Sequence, residues 1–426
     1  MALNASPAWT LQINGDDEKP MKPMKLTDMK LTHLNPRTAA LLAAGALSMG
    51  AVARAEESAS ALTAALSSTT ISGYVDTSAQ WNFGTGNANN PAYSFGGSTK
   101  ADGFNLNVVQ LTIEKPLEDG EWAAGYRVDL WFGPDANALG SQAGGSVTSF
   151  PGRDLAVRQA YVALRTPVGN GIQWKIGVWD TIVGYEVLTS ADNPNFTRSW
   201  GFTIEPTTHT GVHAGYQING WLAAEACVVN TLGPTINGRA HPTVNGLPEG
   251  GPKAESFKAY MGSLALTAPE NWGWAAGSTL KVAVINGFDA ALGDNRTHWF
   301  AGGTLNTPVS GLKLGVAFDY ADFHNQPSGV GDHQWVLGGY ASYQATEKLS
   351  FHGRGEYYVA DGGAASDTEI VETTFTVQYD LWKNVLSRVE FRWDHSANGD
   401  LFGGEVPGSP TRKNAFVLLA NVVYRF

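Results

Sequence analysis

The sequence lacks several features that would direct it to other classes of protein. Cys227 is its only cysteine, which excludes an internal disulfide, a thiolate zinc cluster and a CxxC redox motif. No apolar run approaches the roughly 20 residues that a helix needs to cross a bilayer. Only 28 of the 426 residues are Lys or Arg, and the formal net charge of −11 disfavours nucleic acid as a partner.

The abundant residue types indicate a chain whose apolar surface must be buried or must face an apolar environment. Hydrophobic residues make up 43% of the sequence, and it contains 50 glycines, 14 tryptophans and 14 tyrosines. A transmembrane strand needs only about 9 to 11 residues, and only every second one meets lipid. A membrane barrel can therefore have the composition of a soluble β-protein, and composition alone leaves both open.

The N-terminus has the pattern of a secretory signal peptide. A basic stretch, residues 22–37, precedes an apolar stretch, residues 38–52, and Ala53-Arg54-Ala55 fits the small-x-small cleavage rule. The apolar stretch is too short to serve as a spanning anchor. We therefore predict an N-terminal extension and signal peptide over 1–55, a short periplasmic linker over 56–69 and a β-barrel over 70–426.

From about Thr70 the chain alternates apolar and polar residues in blocks of strand length, which predicts a sheet with two different faces. Between residues 121 and 133, Trp122, Tyr126 and Leu130 share one face, whereas Arg127 and Asp129 share the other. One such strand fits either a soluble sandwich or an outer-membrane barrel.

The connections between blocks favour the barrel. Long connections such as 84–102, 133–153 and 231–255 alternate with short ones such as 116–120, 166–171 and 307–311. Long extracellular loops and short periplasmic turns are typical of an all-β, antiparallel up-and-down transmembrane barrel, here of about 16 strands. Tryptophans lie close to the short turns, as an interfacial girdle requires: Trp122, Trp174, Trp221, Trp272, Trp274 and Trp382.

The last block ends on an aromatic residue. Phe416, Leu418, Val422, Tyr424 and Phe426 share one face, and Phe426 is the last residue. This ending resembles a substrate of the outer-membrane barrel-assembly machinery. Outer-membrane lipid, lipopolysaccharide and that machinery are therefore expected partners, with small hydrophilic solutes and a possible homotrimer by analogy with barrels of this size.

Three segments resemble the OmpL-like β-barrel porins: residues 71–83 (ISGYVDTSAQWNF), 158–187 (RQAYVALRTPVGNGIQWKIGVWDTIVGYEV) and 193–218 (NPNFTRSWGFTIEPTTHTGVHAGYQI). The resemblance covers nearly the whole chain after the signal peptide. It implies an outer-membrane pore with no cofactor, and it carries over no individual functional residue.

A barrel of this size encloses more volume than its inward side chains fill, so we expect a water-filled lumen for passive diffusion. The third long connection, residues 187–209, is predicted to fold inward as a constriction carrying Asp192, Arg198 and Glu205; a plain surface loop is the alternative. The predicted pore-lining residues are Arg127, Asp129, Lys175, Lys313, Asp319, His352, Arg354, Glu356, Arg388, Glu390, Arg392 and Asp394.

These charges allow two interpretations. Opposed rows of both signs would create a field across the lumen, with a basic cluster at Arg354, Arg388 and Arg392 attracting anions. Alternatively, neighbouring charges pair across the strands.

Two rival functions stay open at this point. One is a non-conducting adhesin or structural barrel, and the other is a barrel enzyme. No histidine stands in a recognisable nucleophile motif and GxSxG is absent, which disfavours catalysis. No cofactor and no metal site are expected, because the carboxylates alternate with Arg and Lys and do not cluster.

Overall fold

The computed structural model describes one of two compact units of the chain. The units are Met1–Ala65 and Leu66–Phe426. The described residues all belong to the second: 68–83, 86–91, 93, 95, 100–118, 120–139, 141, 154–238, 257–289, 295–323 and 331–426, with the backbone of 243–244, 247–248 and 294. The predicted signal peptide lies outside the described residues.

Sixteen long strands account for most of this unit. They are β1 (Thr70–Asn82), β2 (Gly103–Lys115), β3 (Ala123–Phe132), β4 (Leu155–Thr166), β5 (Ile172–Asp180), β6 (Thr208–Gln217), β7 (Leu222–Val229), β8 (Ala259–Thr267), β9 (Thr279–Asp289), β10 (Asp294–Asn306), β11 (Leu312–Phe323), β12 (His333–Gln344), β13 (Leu349–Ala360), β14 (Thr368–Trp382), β15 (Val385–Ser396) and β16 (Asn414–Arg425). A separate two-stranded ladder pairs Thr243–Val244 with Leu247–Pro248.

The strands form one closed antiparallel barrel, which confirms the predicted fold and strand number. Each strand pairs with the next in the chain, and β16 closes the ring by pairing with β1, with Asp76 opposite Val423. The backbones of Gly73 and Phe426 exchange two hydrogen bonds of 3.0 Å, so the last residue takes part in closure. A closed ring leaves no unpaired strand edge, as a structure in lipid requires.

Alternation along the strands separates two faces. In β15, Val389 and Phe391 are 54% and 43% exposed on the outer face, whereas Arg388, Glu390 and Arg392 are buried inside. The six tryptophans of the predicted girdle all lie in or beside the short connections. The outer face is therefore apolar, and the charged face turns inward.

Two β-bulges bring extra polar side chains inside. Asp129 pairs with Gln159 while Leu130 pairs with Val157, so Arg158 is an additional residue in β4. A second irregularity between Asp76 and Thr77 leaves Asn107 as the extra residue of β2.

The core lies inside the barrel instead of between layers. Helices are short: α1 (Pro134–Leu139) and α2 (Trp200–Ile204), with 3₁₀ turns at Ser190–Asp192 and Glu270–Ala275. Within the described ranges, no helix is long and apolar enough to cross a membrane. Apolar clusters fill part of the interior, among them one around Trp179, Ile285 and Phe300 and another around Trp131, Leu188 and Phe202.

Candidate functional site: the barrel interior

The connection between β5 and β6, residues 181–207, lies inside the barrel, and we call it the inner loop. Its own side chains shape it. The Asn193 amide closes a bend by accepting from the Val187 N–H at 2.8 Å and donating to the Val187 carbonyl at 2.6 Å. Ser199 begins α2 as its N-cap, because its hydroxyl accepts from the Phe202 N–H at 3.0 Å.

Three buried arginines of the wall hold the inner loop. Arg354 of β13 donates to the Glu186 carboxylate and to the Thr197 carbonyl, both at 2.7 Å. Arg388 of β15 donates to the carbonyls of Ser190 and Asn193, both at 3.0 Å. In addition, Arg392 donates to the Arg198 carbonyl at 2.6 Å. Their guanidinium groups therefore satisfy loop carbonyls that would otherwise be buried without donors.

Carboxylates of the same wall satisfy the loop's N–H groups. Glu390 accepts from the backbone N–H of Phe196 at 2.6 Å and of Thr197 at 2.9 Å. Glu356 accepts from the backbone N–H of Trp200 at 2.8 Å, and Asp394 accepts from the indole N–H of Trp200 at 2.8 Å.

Aromatic stacking adds to the attachment. Tyr185 stacks on Tyr340 of β12 with ring centroids 4.1 Å apart, and Trp200 stacks on Tyr358 of β13 at 4.8 Å. Aromatic pairs contribute about 0.5–1.5 kcal/mol beyond the area that they bury. The loop is thus attached to β12–β15 by hydrogen bonds, ion pairs and packing together.

The far end of the inner loop places one carboxyl group beside another. Glu205 lies beside Asp319 of β11, whose carboxylate is 2.9 Å from the ring nitrogen Nε2 of His298 of β10. Burial first, and then the charges of Asp319 and Glu186, raise the pKa of Glu205 well above its ordinary value. The folded barrel therefore favours a protonated Glu205.

All twelve predicted pore-lining residues lie on the inner face of the wall, but they divide into two groups. Four are partly or fully exposed to the lumen: Arg127, Lys175, Lys313 and His352. Eight are buried: Asp129, Asp319, Arg354, Glu356, Arg388, Glu390, Arg392 and Asp394. Most of the buried group are covered by the inner loop and contact protein instead of lumen water. Asp129 is covered differently, because it accepts from Arg127, Thr112 and Gln159.

The predicted basic cluster of Arg354, Arg388 and Arg392 needs a correction. Arg354 lies within 3.4 Å of three carboxylates, those of Glu186, Glu356 and Glu372. Arg392 is paired with Asp394, and Arg388 is occupied by loop carbonyls. The alternation of the strand fixed their side of the wall, but it could not show that a distant segment would cover them.

The three residues predicted for the constriction have different surroundings. Asp192 is about half exposed and accepts from Arg425 at 2.8 Å. Arg198 is buried and donates to the carbonyls of Phe196 and Leu188. Burial lowers the pKa of Arg198, an effect that the nearby Glu186 charge opposes. Glu205 is the partner of Asp319 described above.

Open space remains on the opposite side of the inner loop. A cavity of about 640 Å³ lies next to the short turns 167–171 and 218–221. It shares Tyr161, Lys175 and Lys281 with a second cavity of about 450 Å³. The second shares Val187 and Asp192 with a third, of about 410 Å³, that reaches β10. These adjoining cavities follow the wall from β4 to β10.

Several residues of this space were not predicted from the sequence. Arg158 reaches it through its bulge and pairs with Asp180 at 2.6 Å. Glu225 of β7 pairs with Lys281 of β9 at 2.8 Å. The alternation of β7 and β9 could have identified the Glu225–Lys281 pair as inward-facing. Glu186 lies outside any strand, so no periodic pattern in the sequence indicated its role.

One surface group has the composition of a metal site. Asp332, His333 and Asp361 place ligand atoms within 4.8 Å of one another between β11 and β14. The Asp361 carboxylate already accepts from the backbone N–H groups of Asp332 and Gly363, and these two bonds hold the pKa of Asp361 below its ordinary value.

A closed sixteen-stranded barrel with a long connection inside it is the architecture of an outer-membrane diffusion channel. The chain belongs to the family described as "Putative beta-barrel porin-2, OmpL-like", whose model matches residues 68–426. The resemblance seen in the sequence is thereby confirmed. The protein is a bacterial outer-membrane porin, a channel for passive diffusion.

Solved structures share the fold at low sequence identity. The anion-selective porin from Comamonas acidovorans is 13% identical, with a TM-score of 0.56, and the match covers 84% of this chain and 99% of that one. OmpF of Salmonella typhi in complex with daunomycin is 12% identical, with a TM-score of 0.54, and the match covers 84% of this chain and 97% of that one. The channel DcaP of Acinetobacter baumannii is 14% identical, with a TM-score of 0.51 and the same two coverages. No curated protein sequence is significantly similar to this chain.

Proposed function

We propose that solutes cross this porin along one side of the lumen, between the inner loop and the wall from β4 to β10. The single observation that carries the proposal is the asymmetry of the interior. Most hydrogen bonds and ion pairs of the loop go to β12–β15, with further single bonds to residues such as Asp76, Arg158 and Arg296, whereas adjoining cavities lie along the wall from β4 to β10. The inner loop then forms the constriction, because the face that it turns toward the wall from β4 to β10 narrows the path.

Val187 is the residue that tests this role. Its side chain is 45% exposed and lines two of the cavities, while only its backbone takes part in the Asn193 bend. Val187→Trp should therefore narrow the path without removing any contact that attaches the loop. We expect a lower unitary conductance in planar bilayers for the refolded chain from Glu56.

Val309→Trp is the matched control. Val309 is 54% exposed in the short turn between β10 and β11 and lines none of the three cavities, so the conductance of this variant should equal that of the unmodified protein. Equal conductance of Val187→Trp and the control would remove the constriction role. A heat-modifiable barrel that gives no current steps at all would favour the non-conducting adhesin or structural barrel.

We propose a channel without catalytic chemistry. His213 and His298 do contact carboxylates, those of Glu225 at 3.0 Å and Asp319 at 2.9 Å, but both imidazoles are buried. His352 has both ring nitrogens within hydrogen-bond distance of hydroxyls, Ser350 at 3.1 Å and Ser342 at 2.9 Å, so neither is oriented by a carboxylate. A catalytic histidine is held by such a third group. The test is incubation of the purified barrel with ester and peptide substrates, for which we expect no turnover.

The proposed partners are supported by the outer surface. The apolar outer face suits membrane lipid and lipopolysaccharide, and the β16 strand ending on Phe426 suits the assembly machinery. Deletion of Phe426 should slow membrane insertion, as measured by acquisition of heat-modifiable mobility. A homotrimer is proposed by analogy with porins of this size, and light scattering of the detergent-solubilised protein distinguishes it from a monomer.

A further inference from the structure

The cavity of about 640 Å³ beside the short turns carries uncompensated positive charge, and we call it the periplasmic vestibule. Its inward-facing cations include Arg165 of β4, Lys175 of β5 and Lys281 of β9. Lys281 is neutralised by Glu225 at 2.8 Å. Among the described residues, Arg165 and Lys175 have no carboxylate within the 4.0 Å of an ion pair.

Every carboxylate that lines the vestibule already has a cationic or hydrogen-bonding partner. Glu114 pairs with Arg127 at 3.3 Å. Glu225 pairs with Lys281 and contacts His213 at 3.0 Å and Ser263 at 2.6 Å. The two unpaired cations therefore set the sign of the local field, although the whole chain is acidic.

The two cations without a carboxylate partner lie on neighbouring strands, and Arg165 also donates to the Asn170 carbonyl at 3.4 Å in the adjacent short turn. Lys175 is paired with Ala163 across the β4–β5 ladder, and Arg165 is two residues farther along β4 on the same face. Such diagonal neighbours lie about 7–8 Å apart at most, within reach of two long side chains. A planar guanidinium and an ammonium can then donate to the oxygens of a single carboxylate.

Tyr161 provides an apolar surface beside this pair. Its ring lies 5.4 Å from the Lys175 ammonium, and it lines both the vestibule and the next cavity. An aromatic face offers flat apolar area, and ring edges pack favourably against it. The combination suits a small anion with a flat apolar body better than a hydrated inorganic ion.

We infer that the periplasmic vestibule is a binding site for small aromatic carboxylates, held by Arg165 and Lys175 with the ring against Tyr161. The inference rests on the proposed function, because the site deepens it by naming a class of solute. Binding inside the conducting path slows ion flow, so a bound carboxylate should be visible as a block of the chloride current.

The experiment measures block of single-channel current by benzoate added on the short-turn side, at low ionic strength where charges are least screened. The unmodified protein should show concentration-dependent block. Arg165→Gln and Lys175→Gln should each weaken the block about tenfold, the size expected for losing one charge-assisted hydrogen bond. Lys383→Gln, at an exposed lysine in the turn before β15, makes the same charge change outside the lumen and should leave the block unchanged.

Two further probes separate charge from shape. Benzamide has the ring without the charge, and equal block by benzamide would overturn the role of the two cations. Acetate has the charge without the ring, and equal block by acetate would overturn the role of Tyr161.

Equilibrium dialysis of labelled benzoate against the refolded barrel in detergent measures binding without current. If current steps occur but benzoate neither blocks nor binds, the vestibule proposal fails while the channel stands. If no steps occur but benzoate binds and the two Gln variants do not bind it, the site stands and the diffusion path fails.

Discussion

Glu390 is the residue whose replacement tests most sharply how the inner loop is attached. Its carboxylate is fully buried, and each oxygen accepts from one backbone N–H and one hydroxyl. One oxygen accepts from the Phe196 N–H and the Thr376 hydroxyl, and the other from the N–H and the hydroxyl of Thr197. Glu390→Gln keeps the shape but replaces one acceptor oxygen by an NH₂ donor.

The consequence can be worked out from this geometry. A hydroxyl can rotate and accept from the new NH₂ group, but a backbone N–H cannot, so one amide of the loop loses its acceptor. The loss of a hydrogen bond to a charged group and the burial of an unsatisfied N–H cost about 3 kcal/mol together. Local opening of the loop should then be about 100-fold more frequent.

Hydrogen exchange of the Phe196 and Thr197 amides measures this opening directly, because these are the donors to Glu390. We expect their exchange to accelerate about 100-fold in Glu390→Gln while the strand amides keep their protection. Glu347→Gln, at an exposed glutamate between β12 and β13, makes the same change without a loop contact and should have no effect. Unchanged exchange at Phe196 and Thr197 would refute the view that Glu390 anchors the loop.

Two further predictions concern the charges of the inner loop. Asp192→Asn removes a half-exposed carboxylate from the path and frees Arg425, so the reversal potential in a salt gradient should shift toward anion preference. Asp400→Asn, on an outer loop, is the control. A shift toward cation preference would contradict this prediction. Because the pKa of Glu205 is raised in the folded state, its contribution to stability is present below the ordinary pKa of 4.5 and is lost as pH rises through the raised value. Glu205→Gln mimics the protonated form, so the unfolding temperature of this variant should depend less on pH above 4.5. An unchanged pH dependence would exclude Glu205 as the source of that dependence.

The alternation of the strands was sufficient to predict the fold and the side of the wall on which each charge lies. The period of a strand is fixed at two residues, so Arg388, Glu390 and Arg392 had to share a face opposite Val389 and Phe391. The apolar inner face of β16, with Val417 and Leu419, was not predicted. Those residues are apolar because Tyr93 and Phe196 cover them, and such long-range packing leaves no periodic signal.

Bulges mark a second limit of the sequence. Strict alternation would place Arg158 and Gln159 on opposite faces, yet both reach the interior, where Gln159 donates to Asp129 at 2.6 Å and Arg158 donates to Asp180. One additional residue in a ladder shifts the face of every later position. The position of such a residue depends on pairing with a neighbouring strand, which the sequence of one strand does not contain.

The inner loop also determines which charges can act on a solute. The wall covered by the loop carries Arg354, Arg388 and Arg392 against Glu356, Glu372, Glu390 and Asp394, one more carboxylate than guanidinium. The loop's N–H donors compensate this excess, so the covered wall has little influence on ions in the path. In the proposed path, selectivity is set by the uncovered side, where Lys175 and Arg165 have no carboxylate partner among the described residues. The anion preference that we propose would then depend on attachment of the loop, because releasing the loop would expose the acidic excess to the same water.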